Sequence, residues 1–503
     1  MSSRTLARNA FSGTIQVLVT AAISFELYRF LNRHLTVSEI GTWSVVLASA
    51  TTGRLIDLGL GGGLVRFVAK HMGTNARAQA AATIQMAMLG MLLVFGFVSL
   101  VLFPMLRAGM ALLIKDPASL DQARALLPYA LTTLIFSALS GAALSALDGC
   151  QRMDLRAMVG TSGSAVQLIG AYCLVPSLGI SGLAVAQVVQ SLVVLILGVF
   201  FLLQLIGPDL YGFRGWRRSV FKELISYGGG FQAATIGQLL FEPVVKVILT
   251  RFSGLEFTGY YEMANQLILQ LRGLLVSAYQ SLVPYVAGAS RSDTELRQIY
   301  VSSYRLFFFL CCVGFGSVGL ALPFVLQFWL GHYSPVFLEI AELCLVGWAL
   351  PTVACPSYYM FLGIGELKWP IVSNITMGLL SAGLGILFGY LFGGFGVLGA
   401  VTFVLIFTSH IVSYAFHRRF RIPLEWLVPS ESVAIAVCAL VGPLSVLGLA
   451  IFTSARLDAM TTGIIAGLAA ALGYFSLRNS NAELAVQLLR KIRAPNVGIE
   501  TAV

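Results

Sequence analysis

Apolar runs of about twenty residues recur along this chain from Phe11 to Phe475, separated by short polar connections. That recurrence limits the fold more than any single motif. About 20 apolar residues make one helical crossing of a bilayer. In hydrocarbon, backbone N–H and C=O groups must pair within their own segment, so each run reads as a helix, and the short alternating stretches of a lipid-facing barrel are missing. Charged residues make up 11% of the 503, against about 25% in an ordinary soluble domain. Lipid is therefore the main solvent of this chain.

A hydropathy window of about 19 residues outlines fourteen spans, at 9–31, 38–60, 80–103, 125–147, 157–177, 181–204, 226–250, 260–287, 300–323, 337–362, 370–391, 396–416, 432–453 and 459–477. The first has arginines ahead of it like a signal peptide, but it runs on past Ala22 with no A-x-A cleavage pattern and reads as a retained helix. An even number of spans puts both termini on one side. The positive-inside rule makes that side cytoplasmic, because Arg66, Lys70, Arg77, Arg152, Arg156, Arg214, Arg217, Arg218, Lys222, Arg291, Arg297, Arg418, Arg419 and Arg421 then share it. The opposite face carries only Arg33, Arg107, Lys115, Arg124, Arg251 and Arg456. The longest outer connection, Pro104 to Ala125, reads as an amphipathic segment lying at the interface, and NAELAVQLLRKIR after the last span as a helix on the inner leaflet.

The chain repeats itself. RHLTVSEIGTWSV at 33–45 lies on RFSGLEFTGYYEM at 251–263, an offset of 218 that also places Arg54 on Arg272 and Phe67 on Tyr285. LGISGLAVA at 178–186 lies on FGVLGAVTF at 395–403, an offset of 217. Six crossings separate the two copies, so both run the same way through the membrane, and an axis along the membrane normal relates them. The expected architecture is an all-α membrane protein. A six-helix lobe (1–205) joins through a cytoplasmic linker (206–225) to a second six-helix lobe (226–420), with a central cavity between the lobes. Two further transmembrane helices (421–477) and a cytoplasmic amphipathic tail (478–503) follow.

Ionisable groups at mid-bilayer cost about 2.5–3.5 kcal/mol on insertion scales, so the few inside the spans are the candidate site. Glu26, Arg29 and Arg33 share one face of span 1, Arg54 and Asp57 stand three apart in span 2, Glu242 precedes Lys246 by four in span 7, and Arg272 stands in the middle of span 8. Mutual neutralisation would lock helices together; lining of a water-filled cavity would hold an anion. The cations outnumber the carboxylates, and an arginine fork suits phosphate or pyrophosphate. The glycine cluster in DLGLGGGLVRF lacks the lysine and spacing of a phosphate loop. It reads as a helix break or close packing, or as a gate that presents Arg66 to a headgroup. Pro243 and Pro284 are candidate hinges.

Other classes are poorly served. The basic residues form no stripe with interleaved aromatics, which argues against nucleic acid and for anionic lipid. The seven cysteines lie mostly in apolar runs without ligand spacing, so no metal site is expected. A DxD motif, a large outer loop and a P-loop are all missing from the sequence, which counts against a membrane glycosyltransferase, a polysaccharide ligase and an ATP-driven pump.

Arg33 followed by EIGTWSV, the arginine-bearing span ending DLGLGGGLVRFVA, then GYYEMANQL, LGIGELKWPIVSN and FGVLGAV together resemble the polysaccharide exporter and O-antigen flippase family of the multidrug/oligosaccharidyl-lipid/polysaccharide flippase superfamily. The resemblance spans most of 5–420. It implies a non-enzymatic, two-lobed flippase of a bacterial inner membrane, moving undecaprenyl-pyrophosphate-linked oligosaccharide by alternating access for surface polysaccharide synthesis. It further implies a cationic cavity carried here by Arg29, Arg54, Lys246 and Arg272. Glu26, Asp57 and Glu242 would tune the charge or couple transport to H+ or Na+. No cofactor is implied, and the implied partners are the membrane, the lipid-linked oligosaccharide, and a polymerase with its chain-length machinery. A multidrug antiporter and a lipid II flippase of the same superfamily are the alternatives; ISFELYRFLNR departs from the opening pattern of the lipid II flippases.

Overall fold

The computed structural model describes residues 3–56, 60–210, 218–280, 292–331, 334–423 and 426–427, with side chains omitted at 3–15, 56, 60, 62, 218–236, 278 and 280. Among the described residues the regular structure is entirely helical. Helix α1 (Ser3–His34) leads into α2 (Val37–Thr51), a 3-10 turn (Thr52–Ile56), α3 (Leu60–Gly73), α4 (Arg77–Leu113), α5 (Pro117–Gly149), α6 (Met153–Leu178) and α7 (Ile180–Ile206). After the turn Pro208–Leu210 come α8 (Arg218–Gln280), α9 (Asp293–Leu330), α10 (Pro335–Ile364) and α11 (Lys368–Phe420). Non-helical backbone at Gly254 divides α8 into two helices, and Gly393 does the same in α11. Seven of these elements, α4–α7 and α9–α11, are long and apolar enough to cross a membrane. Spans 432–453 and 459–477, the tail 478–503, Pro284 and Asp57 lie outside the described residues.

Two expectations need correction. Span 2 is not one helix. Thr51 and Thr52 turn their hydroxyls back onto the Ala48 and Ser49 carbonyls, at 2.7 Å each, and the chain tightens into the 3-10 turn that carries Arg54. Side chains that bond the backbone locally compete with helix propagation, and Gly53 adds conformational freedom. The tightened turn lies at Thr52–Ile56, and of the glycine cluster Gly61 and Gly63 are helical in α3. Nor is there a separate interfacial segment between Pro104 and Ala125: α4 runs to Leu113, and α5 begins at Pro117. Asp116 caps α5 by accepting from the Ser119 N–H at 2.8 Å, with Pro117 in the first turn, where its missing N–H costs nothing.

The repeat is present in the caps and crossings. Ser334 and Pro335 open α10 as Asp116 and Pro117 open α5, and the acceptor pairs are Ser334 with Phe337 N–H and Asp116 with Ser119 N–H, all at an offset of 218. Further along, the register shifts. Gly179 (φ 57°, ψ −137°) and Gly393 (φ 66°, ψ −150°) make the same helix break. Three residues past each, Gly182 packs on the Leu174 carbonyl and Gly396 on that of Phe388. The structural offset there is therefore 393 − 179 = 214, not the 217 of the glycine pattern; the second copy is shorter mainly inside its α5 equivalent, which has 30 residues against 33.

Chain packing forms two compact units. One comprises Phe11–Gln270 with Pro370–Val404, the other Leu271–Trp369 with the described residues from Leu405 onward and the first residues of α1. The boundaries fall inside α1, α8 and α11. Within the first unit, a Cβ on Gly41 would collide with the Leu255 carbonyl oxygen, and a Cβ on Gly259 with that of Val37. Val37 and Gly41 are the repeat equivalents of Leu255 and Gly259. The contact is reciprocal, as a local two-fold axis requires, and glycine lets the two backbones approach where hydrocarbon gives no hydrophobic drive to associate. Within the second unit, Tyr300, Phe361 and Phe416 pack α9, α10 and the end of α11 together. The buried Tyr300 hydroxyl lies 2.8 Å from Ser357 Oγ and 2.7 Å from His417 Nε2.

Candidate functional site

Arg54 and Arg272 are the centre of the cationic prediction, and the structure gives them matching surroundings. The Arg54 guanidinium, exposed on the 3-10 turn, donates to Ser137 Oγ of α5 at 2.9 Å. The Arg272 guanidinium, in the continuous second half of α8, donates to Cys355 Sγ of α10 at 3.8 Å. Both partners stand 83 residues beyond their arginine. Where the first copy has Thr51-Thr52-Gly53, the second has Leu269-Gln270-Leu271, which keeps α8 helical through Arg272. The Arg272 guanidinium carbon lies 4.9 Å from the Trp348 ring centroid, a cation–π stack. Its Nε is buried without an acceptor, and among the described residues no carboxylate forms an ion pair with it.

On α1, Glu26 pairs with Arg29 at 3.3 Å and accepts from the Tyr172 hydroxyl at 2.9 Å, while Arg33 is exposed one turn further on. Arg66 is exposed on α3. Among the described residues Cys311, Cys344 and Cys355 are buried, Cys150 and Cys312 half-buried and Cys173 exposed, all as free thiols, and no group of His, Cys, Asp or Glu there could hold a metal ion.

Lys246 is differently placed. Its side chain is 5% exposed, and its ammonium lies 2.6 Å from Glu242 Oε1 and 2.7 Å from Glu262 Oε2. The pairing with Glu242 follows from the i, i+4 spacing. Glu262 does not, since it reaches Lys246 from beyond the break at Gly254. Glu262 accepts three more hydrogen bonds: from Ser44 Oγ at 2.8 Å, from the Tyr28 hydroxyl at 3.2 Å and from Gln266 Nε2 at 3.1 Å. Sequence reasoning quoted Glu262 within GYYEMANQL but gave it no role. The offset of 218 lays Tyr28 on Lys246 and Ser44 on Glu262, which marks the positions as equivalent without saying that they touch.

This all-helical arrangement, with a six-helix repeat and broken helices at Gly254 and Gly393, is the fold of the MOP-superfamily transporters. The lipid II flippase MurJ in an inward-closed conformation superposes with a TM-score of 0.70 at 12% identity, covering 94% of this chain and 99% of that one. A multidrug resistance MATE-family transporter in its inward-facing conformation gives 0.67 at 14% identity, covering 80% and 98%. A MOP-superfamily transporter from Pyrococcus furiosus, described as having a binding pocket of reversed polarity, gives 0.57 at 13% identity, covering 83% and 96%. No curated protein matches the chain by sequence. The profile of the family described as "Polysaccharide biosynthesis protein" matches residues 6–290, more than half of the chain, and the chain belongs to that family.

Proposed function

We propose that this protein is a flippase that carries an undecaprenyl-pyrophosphate-linked oligosaccharide from the cytoplasmic to the outer leaflet of a bacterial inner membrane by alternating access, with both termini cytoplasmic. The family membership supports a role in polysaccharide biosynthesis, and the MOP-transporter fold supports transport rather than catalysis. The observation that carries the cargo class is Arg272: a guanidinium stacked on Trp348, bonded to a thiol and, among the described residues, without a carboxylate to neutralise it. A charge so placed is poised for an external anion, and a phosphate accepts the paired hydrogen bonds that an arginine fork offers.

In this reading Arg54 and Arg272 hold the pyrophosphate, and Arg29, softened by Glu26, contributes to the same positive field. Arg66 meets the headgroup at the cytoplasmic side. Lys246 is already matched by two carboxylates and takes no direct part. Glu26, Asp57 and Glu242 tune the charge, and a proton or Na+ gradient supplies the energy. A polymerase on the outer face would consume the product.

Deleting the gene in its host should trap lipid-linked oligosaccharide on the cytoplasmic leaflet and remove the surface polysaccharide. The intact chain should restore both, whereas Arg54→Ala/Arg272→Ala, present at the same level in the membrane, should restore neither. Full rescue by the double variant would remove the anion site. Normal surface polysaccharide without a trapped intermediate would remove this cargo in favour of a multidrug antiporter.

A further inference from the structure

The proposed cargo site leaves a buried ion pair, Lys246 with Glu262, without a task. Lys246 and Glu262 are 4% and 7% exposed, and around them Tyr28 and Ser44 occupy the repeat-equivalent positions. Two equivalent pairs thus meet where α1 and α2 pack on α8, beside the reciprocal crossing of Gly41 and Gly259. Ser44 lies seven residues past Val37, about 10 Å along α2 at 1.5 Å per residue, so the cluster stands two turns below the helix tips. The turn 35–36 and the break at Gly254 mark those tips, and the orientation proposed above puts them at the outer surface.

The bonds fall into two sets. Lys246–Glu262 and Gln266–Glu262 are internal to the second repeat. Among the described residues, the Tyr28 and Ser44 hydroxyls are the groups that reach Glu262 from the first. If α8 draws away from α1 and α2, Glu262 loses two hydrogen bonds and Gln270 Nε2 its long bond to Ser24 Oγ (3.4 Å), while the carboxylate keeps its ammonium. A salt bridge across the same boundary would leave two uncompensated charges in a low-dielectric environment, at far greater cost. Hydrogen bonds onto a charged acceptor are stronger than neutral ones, yet two of them remain breakable on a transport timescale.

We propose that Tyr28 and Ser44, closing on a Glu262 carboxylate that Lys246 holds ready, form a latch that keeps the outer half of the repeat boundary shut and parts without exposing an unpaired charge. Lys246 then serves as the permanent counter-ion of the latch. The latch takes its side of the membrane from the orientation proposed above, but it does not depend on the identity of the cargo.

Ala48 reports on this boundary: it is 4% exposed and follows Ser44 by one turn on the same face of α2. The full chain carrying Ala48→Cys is placed in right-side-out and inside-out membrane vesicles and treated with a membrane-impermeant maleimide. Labelling is read as the increment over the same chain without that substitution. Adding Tyr28→Phe/Ser44→Ala removes both bonds that cross to Glu262 and leaves the Lys246–Glu262 pair intact, so folding is preserved. Labelling in right-side-out vesicles should rise about tenfold or more, as the loss of two charge-assisted bonds predicts. Unchanged labelling in a variant that extracts as a monodisperse protein would overturn the latch. A rise confined to inside-out vesicles would overturn its placement on the outer side. Lipid-linked oligosaccharide plays no part in the labelling, so failure of the deletion experiment above would leave this result standing.

Discussion

Arg54 on Ser137 and Arg272 on Cys355 are one contact made twice, 218 residues apart, whereas Tyr28 and Ser44 face Lys246 and Glu262 at positions just as equivalent and chemically unlike. The difference lies in where each contact stands. An arginine and its hydroxyl or thiol partner both belong to one repeat, so each copy keeps its contact without regard to the other. At the boundary a residue meets its own equivalent: Ser44 Oγ is 2.8 Å from a Glu262 carboxylate oxygen. Two glutamates there would hold like charges at hydrogen-bond distance, so one copy supplies the acceptor with its counter-ion and the other supplies neutral donors. Duplication fixes the backbone frame, and the axis then selects against chemical symmetry in the residues that touch across it.

Restoring that symmetry is the sharpest way to break the comparison. Ser44→Glu would set a second carboxylate against Glu262 with one ammonium between them. It should cost about 3–5 kcal/mol, the range for an uncompensated buried charge, or prevent accumulation of the folded protein, as read by thermal unfolding in detergent. A Ser137→Glu control changes a residue to the same type away from the axis, next to the Arg54 guanidinium, and should be tolerated. Equal damage from both would show that the boundary has no special status.

The glycine crossing tests the backbone half of the comparison. Gly41→Ala and Gly259→Ala each push a methyl group into the other copy's carbonyl, at Leu255 and Val37. Each should destabilise by about 1–3 kcal/mol through overpacking, and by similar amounts, because the two contacts are reciprocal. Gly96→Ala, in α4 with nothing near the added Cβ, should be neutral or should stabilise by up to about 1 kcal/mol through helix propensity. Strongly unequal costs at Gly41 and Gly259 would argue against a local two-fold axis.

What could be read from the sequence follows the same division. Helices and repeat rest on composition and spacing along the chain, and the Glu242–Lys246 pair was visible because four residues is one helical turn. Glu262 was missed because its ion pair spans the break at Gly254, where helical periodicity carries no information. The fold-back of Thr51 and Thr52 onto their own helix was equally hard to see inside an apolar run, so Arg54 was expected on a helix and stands on a 3-10 turn. The 218 offset makes Ser44 the equivalent of Glu262, but equivalence along the chain does not say which pairs stand on the axis and touch. The pattern of matching glycines at 179 and 396 drew the later register three residues too far, since glycines recur there for two reasons, breaking a helix and admitting a neighbouring carbonyl.

The smallest expected effect separates the two copies at their helix caps, where the frame is shared and the titration is not. Asp116 and Ser334 do the same job for α5 and α10. The Ser119 hydroxyl, and then its backbone N–H, hold the Asp116 carboxyl below its ordinary value. A carboxyl held down in the folded state contributes stability above its unfolded pKa of about 3.9 and loses it as pH falls through the lower folded value. Unfolding followed from pH 7 to pH 5 should therefore show no change from this cap, and a decline should begin only below about pH 4. Asp116→Asn keeps an acceptor at the cap and should remove this part of the acid sensitivity. Ser334→Ala should cost about 1 kcal/mol at every pH, since a hydroxyl does not titrate in this range. An acid decline that survives Asp116→Asn unchanged would assign the sensitivity to other carboxylates and leave the two caps interchangeable.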